Sequence, residues 1–533
     1  MKIKSKIVYL ALIVVGIFTS CSKDFLDRPP LSQISTENFY QTNTDLKLAT
    51  AALYAGSPWA DWTYSSYMTI GDVLSGNMAL GWNGDAIQLN TFSVTGLNGA
   101  VISNWKGMYN VIARCNTTIN SITAKTPATV PDVNKNAAIA EAKFIRAYAY
   151  FNLVVLWGEV PIIEDNSLLV NNPLVSRNNA NDVYQLIAND LIFAATNLPV
   201  AFGTEWEKGR VTTWAAQGLL AKVYLFWSGL KSTGNGQRDQ QLLDNAMLWA
   251  GFCCKNSGLE LMANYADLFK TANNYNDEAL FSLRWDPSVG GWLAGNMLQI
   301  YSPGGTEIAA DGQAGWFGIN PTYDMYLQYS ADDTIRRKAT YMLRDDYYPE
   351  LNAAGGGYTY KGDTGLKKHI IGTKKDNNAS IMTLTSSAEH NALLRLADVY
   401  LVYAEAILGN NATTSDADAL MYFNKVRTRA GVAPVSSLNV NVILKERRVE
   451  LAAEGQSWAD LVSLSYYNPQ KAITYLNNQQ RVPFTYDSKH VATPSGAYGV
   501  MAPATINSFK LPIPSSELTV NPKLSEPAVP YTF

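Results

Sequence analysis

Residues Ala142–Pro161 read AKFIRAYAYFNLVVLWGEVP, and this stretch decides the fold class. Phe144, Tyr148 and Phe151 recur at intervals of three or four residues, which is the spacing of one helix face. Small residues between them, such as Ala147, let a neighbouring helix approach closely. Because apolar residues cover most of its surface, the predicted helix must be buried on several sides. The sequence therefore predicts a mostly helical protein.

Apolar residues recur at the same helical spacing along much of the chain. The predicted helices are Asp45–Tyr54, Ser103–Thr123, Asn136–Trp157, Ala180–Leu198, Thr212–Gly229, Gln240–Asn256, Leu393–Leu408, Asp416–Ala430 and Asn441–Leu464. Two segments within them, Ala216–Leu225 and Leu396–Ala406, interleave small and aromatic residues. This alternation is typical of stacked helix hairpins of tetratricopeptide type, although the period here is degenerate. We expect helix pairs at about residues 40–255 and 390–465.

Two long stretches have a different composition. Residues 55–102 and 278–387 are rich in Gly, Asn, Asp, Tyr and Trp, and glycine runs such as 355–357 interrupt any regular period. Structureless loops of this length are uncommon inside compact domains and usually carry function. We predict that both are irregular binding insertions in a single domain over residues 21–533.

The N-terminus has the features of a secretory signal. Met1–Lys6 carries three lysines, Ile7–Phe18 is apolar, and small residues precede Cys21. The apolar run is too short to span a bilayer. We predict a signal peptide over residues 1–20 and acylation of Cys21. The alternative is an ordinary signal peptide with an incidental cysteine.

Charge and motifs exclude several function classes. The 42 basic and 45 acidic residues leave a net charge of −3 with no concentrated basic face, which argues against a nucleic-acid partner. The remaining cysteines, Cys115, Cys253 and Cys254, imply no disulfide framework. The sequence has no H-E-x-x-H, P-loop or G-x-S-x-G motif. We therefore predict no metal and no cofactor.

Carboxylate pairs keep one enzymatic alternative open. A glycosidase needs only two acids that face each other across a sugar, and a sequence cannot show that geometry. The candidates are Asp332 with Asp333, Asp345 with Asp346, and Glu307 with Asp311. Each is more simply a solvated acid in a loop or at a helix end.

Tryptophan placement is the more informative signal. Seven tryptophans fall in the predicted connections: Trp59, Trp62, Trp82, Trp206, Trp285, Trp292 and Trp316. Exposing an indole costs hydrophobic free energy, so this set needs an explanation. An aromatic face beside amide or carboxylate groups suits a pyranose ring, and Trp82 with Asn83 or Trp285 with Asp286 supplies that combination. The alternative is that each indole is buried in a small hydrophobic cluster beneath its own loop.

Six segments in a fixed order along the chain form a recognisable set: Cys21–Asp27 (CSKDFLD), Trp105–Tyr109 (WKGMY), Ala142–Pro161, Asn424–Gly431 (NKVRTRAG), Glu446–Leu451 (ERRVEL) and Leu511–Pro514 (LPIP). On these segments, and over nearly its whole length, the chain resembles the SusD/RagB family of nutrient-binding outer-membrane lipoproteins. Two departures are Ser457 and Ser463, where the family usually has basic residues.

The resemblance implies four tetratricopeptide-like helix pairs with long ligand-binding insertions and no enzymatic activity. It also implies a glycan ligand, surface exposure on the outer membrane through the lipid anchor, and a SusC-like TonB-dependent transporter as partner. By region, its glycan sites fall on Trp82 and Asn83 and on the later insertion. The residues of that insertion are Trp285, Trp292, Tyr301 and Trp316.

Two other function classes remain open from the sequence. One is a secreted glycoside hydrolase, and the other is a tetratricopeptide scaffold that binds proteins or peptides. A linear aromatic platform would suit a β-glucan or xyloglucan-like chain, while α-glucans, fructans, host glycans and peptides remain alternatives.

Overall fold

The computed structural model describes residues 39–54, 56–201, 208–289, 292, 295–308, 318–373, 375–376, 382–383 and 385–533. The predicted signal peptide, the acylation site Cys21 and the tryptophans Trp206 and Trp316 lie outside these residues.

Most of the described chain is helical, which confirms the predicted fold class. The α-helices are α1 (Asn43–Ala51), α2 (Ser57–Trp62), α3 (Gly84–Asn90), α4 (Gly99–Lys125), α5 (Asp132–Trp157), α6 (Leu168–Asn171), α7 (Ala180–Asn197), α8 (Thr213–Leu230), α9 (Gln240–Asn256), α10 (Tyr323–Gln328), α11 (Thr334–Thr340), α12 (Leu396–Leu408), α13 (Ala417–Arg429), α14 (Val440–Glu450), α15 (Ser457–Tyr467), α16 (Pro469–Asn477) and α17 (Ser515–Val520). Two π-helical turns, Thr63–Tyr67 and Thr69–Val73, follow α2.

The strands of the described residues are short and pair two by two, all antiparallel. The pairs are β1 (Met78–Ala79) with β3 (Asn320–Pro321), β2 (Ala279–Leu283) with β8 (Asn391–Arg395), β4 (Tyr341–Leu343) with β7 (Thr364–Leu366), β5 (Tyr347–Tyr348) with β6 (Tyr358–Thr359), and β9 (Phe484–Tyr486) with β10 (Ala492–Pro494).

The long helices form a stack in which each packs on the next. Contacts run from α4 to α5, α7, α8, α9, α12 and α13 in that order. The aromatic face predicted for α5 is buried, and Phe144 and Tyr148 both meet the ring of Phe281 in β2, at centroid distances of 5.1 and 5.2 Å. The stack therefore supports the first strand of the later insertion as well as its own helices. The division into four pairs remains a prediction.

One predicted helix is wrong. The segment Asn441–Leu464 forms two helices, α14 and α15, because Ala453 and Gly455 adopt left-handed backbone conformations with φ of 60° and 70°. The carboxylate of Asp72 accepts hydrogen bonds from both of their N–H groups, each at 2.9 Å. A tertiary contact thus fixes a break that local periodicity cannot reveal.

The two predicted insertions differ in character. Residues 56–102 are largely helical rather than irregular, and Trp59 and Trp62 bury their rings in the main core. The described residues of 278–387 form short strands and helices; some of them, such as Phe281 and Trp285, pack in the main core, and others form a small core of their own. That core, called here the insertion core, consists of Ile308, Met342, Tyr348, Leu351, Tyr360 and Ile370.

Buried ion pairs join the later insertion to the stack. Arg336 in α11 binds Asp333 and reaches Glu446 and Glu450 of α14 at 2.6 and 3.3 Å. All four side chains are almost fully enclosed. Charges in such surroundings are stable only when paired, so this cluster fixes α11 against α14.

Candidate functional site

Two of the seven tryptophans predicted for loops are exposed in the described part of the chain. Trp82 and Trp292 have exposed fractions of 55% and 49%, whereas Trp59, Trp62 and Trp285 are buried. Exposing an indole to water costs free energy, and exposed indoles on a protein surface commonly mark contact sites. These two rings are the starting points of the candidate site.

Trp82 lies between β1 and α3, on a segment held at both sides. The next residue, Asn83, is the N-cap of α3, and its side-chain oxygen accepts a hydrogen bond from the Ala86 N–H at 2.9 Å. The ring of Tyr498 covers the backbone of Gly81 so closely that a β-carbon there would lie 2.2 Å from a ring atom. The backbone that carries Trp82 is therefore fixed, and the half-buried Tyr498 is an aromatic neighbour that the sequence analysis missed.

Trp292 belongs to a group of three aromatic rings. Tyr64, in the first π-helical turn, meets Trp292 edge to face at a centroid distance of 5.2 Å. Tyr64 also stacks on Tyr301 at 6.2 Å, and the Tyr301 hydroxyl donates a hydrogen bond to the Tyr64 backbone carbonyl. Such ring arrangements contribute about 0.5–1.5 kcal/mol per pair beyond buried area. Buried Tyr301 thus supports half-buried Tyr64, which in turn contacts exposed Trp292.

A short backbone path leads from the segment that carries Trp82 to Tyr301, the residue that supports Tyr64. The Tyr301 carbonyl accepts a hydrogen bond from the Ile319 N–H at 3.0 Å, and the next residue, Asn320, pairs with Ala79 in the β1–β3 ladder. Three further residues lead from Ala79 to Trp82. With residue and strand spacings of roughly 4–5 Å, the Cα atoms of Trp82 and Tyr301 are at most about 25 Å apart.

Two residues expected on an open platform do not present open rings. Trp285 is 6% exposed, and its indole N–H donates to the side-chain oxygen of Asn391 at 2.6 Å. Tyr301 is equally enclosed, and burial raises the pKa of its hydroxyl far above the ordinary value. Their expected stacking role is corrected accordingly: Trp285 is a core residue, and Tyr301 supports Tyr64. Trp316 lies outside the described residues.

Four of the six carboxylates considered for catalysis are engaged by other side chains. Asp333 and Asp346 bind Arg336 and Arg337. Lys361 and His490 hold the pKa of Asp345 below its ordinary range, and Glu307 accepts a hydrogen bond from the Asn352 amide at 3.2 Å. Asp332 is exposed beside Asp333, and Asp311 lies outside the described residues. Such contacts are typical of carboxylates that stabilise the fold.

An interior cavity offers little room for a sugar. Trp62, Tyr148 and Trp458 help to enclose about 60 Å³ at the centre of the stack. That volume corresponds to about two water molecules. A glycan ligand would therefore bind at the surface, where Trp82 and Trp292 are exposed.

Comparison with known proteins decides the family. The family model described as the SusD family matches residues 339–531, and one described as “Starch-binding associating with outer membrane” matches residues 24–225. A SusD-like protein of Bacteroides ovatus is 40% identical over 551 residues, which cover 99% of this chain and 99% of that protein. The chain belongs to the SusD family. The glycan-binding character of the SusD family agrees with the exposed aromatic rings.

Solved structures of SusD relatives have the same fold. A crystal structure with xylogluco-oligosaccharide is 40% identical, with a TM-score of 0.83, and the match covers 92% of this chain and 99% of that one. A SusD homolog from Bacteroides thetaiotaomicron is 20% identical, with a TM-score of 0.71 over 92% of this chain and 97% of that one. Within the described residues, no helix is both long and apolar enough to cross a membrane.

Proposed function

We propose that this SusD-family protein captures xyloglucan-type β-glucan chains at the surface that carries Trp82 and Trp292, and passes them on uncleaved. The observation that carries the proposal is the exposure of these two indoles on a chain 40% identical to a protein crystallised with xylogluco-oligosaccharide. Asn83, beside Trp82, adds an amide for the hydroxyl groups of a sugar.

Stacking on a few rings predicts weak capture. Each aromatic contact contributes about 1 kcal/mol beyond area burial, by analogy with aromatic pairs. Two or three such contacts with accompanying hydrogen bonds correspond to dissociation constants of roughly micromolar to millimolar. Weak binding suits a protein that must release its ligand to a transporter.

The supporting contacts reduce the entropic cost of binding. The N-cap at Asn83 and the stacking of Tyr64 on Tyr301 hold the neighbouring backbone in one conformation before any ligand arrives. A preformed surface loses less conformational freedom when a glycan binds. The rings of Trp82 and Trp292 thus act as two fixed contact points for an extended chain.

Affinity electrophoresis of the mature protein in gels containing xyloglucan, laminarin or starch tests this proposal. We expect retardation by xyloglucan, loss of retardation in Trp82→Ala and Trp292→Ala, and no effect of Phe252→Ala. Phe252 is a matched control because its ring is also exposed, on α9. Retardation that survives both tryptophan substitutions would refute the assigned surface, and binding only to starch would refute the assigned glycan class.

Delivery to a SusC-like TonB-dependent transporter is the second part of the proposal. It is supported by the family description that associates such chains with the outer membrane and by the signal peptide predicted before Cys21. We expect Cys21→Ala to move the protein from the outer-membrane fraction to the soluble fraction. We also expect a co-expressed SusC-like barrel to co-purify with the wild-type protein from solubilised membranes, and a barrel that never does so would contradict this partner.

The absence of cleavage is tested separately. Incubation of the protein with xyloglucan should release no reducing ends, while a xyloglucan hydrolase added in parallel should release them. Reducing ends released by wild type but not by an Asp or Glu variant would favour the hydrolase alternative. A protein that binds no glycan in the panel would favour the scaffold alternative.

A further inference from the structure

A second concave site lies at the later insertion, and its lining residues differ from those of the surface that carries Trp82 and Trp292. It encloses about 160 Å³ between α11, β5, the 3₁₀ turn Tyr265–Phe269 and residues 367–370. None of its lining residues belongs to the groups around Trp82 or Trp292. The volume corresponds to about five water molecules, which is enough for an inorganic oxyanion or the acidic end of a sugar.

Lysines dominate the ionisable lining of this pocket, called here the lysine pocket. Its ionisable side chains other than tyrosine are Lys270, Lys338, Lys367, Lys368 and Glu350. The lysines come from three separate segments of the chain, so the fold and not a local run of charge brings them together. Four lysines and one glutamate line the pocket, and an excess of one sign of charge in a concave site concentrates ligands of the opposite sign.

The lysines differ in how well protein carboxylates neutralise them. Lys368 is fully buried and bound to Glu454 at 2.8 Å. Lys367 lies 3.3 Å from Glu350 at the pocket wall. Lys338 is 3.9 Å from Asp346, a carboxylate that Arg337 already engages through both oxygens.

Lys270 completes the cluster. Its ammonium binds Asp267 at 2.6 Å, three residues earlier, and both side chains are about one-third exposed. Burial lowers the pKa of Lys367, Glu350 opposes that effect, and nearby Lys270 lowers the pKa further. The repulsion between these ammonium groups would fall if an anion lay among them.

Two tyrosine rings line part of the site, beside aliphatic residues such as Ile335 and Ile370. Tyr348 lies beneath two of the ammonium groups, with Lys338 and Lys367 at 5.8 and 5.4 Å from its centroid. Tyr347 is half exposed, and its hydroxyl is fixed by donation to the Gly356 carbonyl at 2.8 Å. A fixed ring beside cationic groups suits a ligand that has both an apolar face and a negative charge.

We propose that the lysine pocket binds an oxyanion, either the carboxylate of an acidic sugar or an inorganic sulfate or phosphate. Lys338, Lys367 and Lys270 would supply the charged hydrogen-bond donors. The site goes beyond neutral-glycan capture because it recognises charge, which a xyloglucan backbone of neutral sugars does not offer.

Isothermal titration calorimetry of the mature protein tests the site with three probes: glucuronate, glucose as the neutral match, and inorganic sulfate. We expect binding of glucuronate or sulfate, weakened by added sodium chloride, and no binding of glucose. Lys338→Gln should lower anion affinity roughly tenfold or more, since charged hydrogen bonds have effects of that size. Lys270→Gln should act in the same direction.

The control is Lys445→Gln, which removes an exposed lysine of α14 that does not line the pocket. It should leave anion binding unchanged. Tighter binding of glucuronate than of sulfate would assign the site to acidic sugars, and the reverse order would assign it to inorganic anions. No heat with either anion, or equal losses in Lys338→Gln and Lys445→Gln, would overturn the proposal.

Discussion

Replacing Arg336 by methionine should destabilise the whole protein, because this guanidinium joins the later insertion to the stack. Arg336 is 1% exposed and donates through Nε and Nη2 to Asp333 and through Nη1 to Glu446 and Glu450. In the variant, Glu446 keeps Arg427 and Glu450 keeps other guanidiniums. Asp333 alone is left as a buried carboxylate without a cation.

The magnitude follows from that single uncompensated charge. Removing one partner of a buried ion pair costs about 3–5 kcal/mol. Urea unfolding followed by tryptophan fluorescence should show a lower midpoint for Arg336→Met, and adding Asp333→Leu should recover part of the loss because the orphaned carboxylate is then gone. A loss below about 1 kcal/mol in the single variant, or no recovery in the double variant, would refute the reasoning.

Three further predictions concern other contacts. Gly71→Ala should cost about 1–3 kcal/mol in urea unfolding, because its β-carbon would lie 2.2 Å from the backbone of Gly455; an unchanged midpoint would contradict this contact. Burial alone would raise the pKa of Glu450, but neighbouring guanidiniums lower it from 4.5 to about 2. Its contribution to stability is therefore complete above pH 4.5 and is lost as the pH falls toward 2, so the urea midpoint should fall across that window and a flat profile would be inconsistent with it. Tyr301→Phe removes the hydrogen bond to the Tyr64 carbonyl, worth about 1 kcal/mol, so the urea midpoint should fall by a corresponding amount and titration with xyloglucan oligosaccharide should show weaker binding; an unchanged midpoint and affinity would contradict the supporting role of Tyr301.

Helical periodicity predicted most of the stack because the long helices bury broad apolar faces. The predicted range Gln240–Asn256 matches α9 residue for residue, and Ala180–Leu198 differs from α7 by one residue. The break between α14 and α15 could not be predicted, since it depends on the carboxylate of Asp72, nearly 400 positions earlier in the chain.

The candidate site was only partly predictable. Composition indicated that tryptophans in the connections matter, but it could not separate Trp82, which is exposed, from Trp285, which is buried. Which side of a short segment faces the core depends on its tertiary partners. Tyr64 was missed because it lies in a π-helical turn, and a helical or loop pattern does not distinguish such turns.

The insertion core has a consequence for how ligand preference can change. Its six residues, including Met342 and Tyr360, pack on one another and not within the main core of the stack. Substitutions that reshape the lysine pocket should therefore disturb the packing of the insertion core more than that of the stack. The ion pairs of Arg336 with α14 still attach this part of the insertion to the stack. A chimaera that exchanges residues 278–390 between two SusD relatives should carry only part of the donor's ligand preference, because Trp82 and Lys270 lie outside the exchanged segment. Residues within it such as Phe281 and Trp285 pack in the main core, so the recipient's helices must match them for the chimaera to fold.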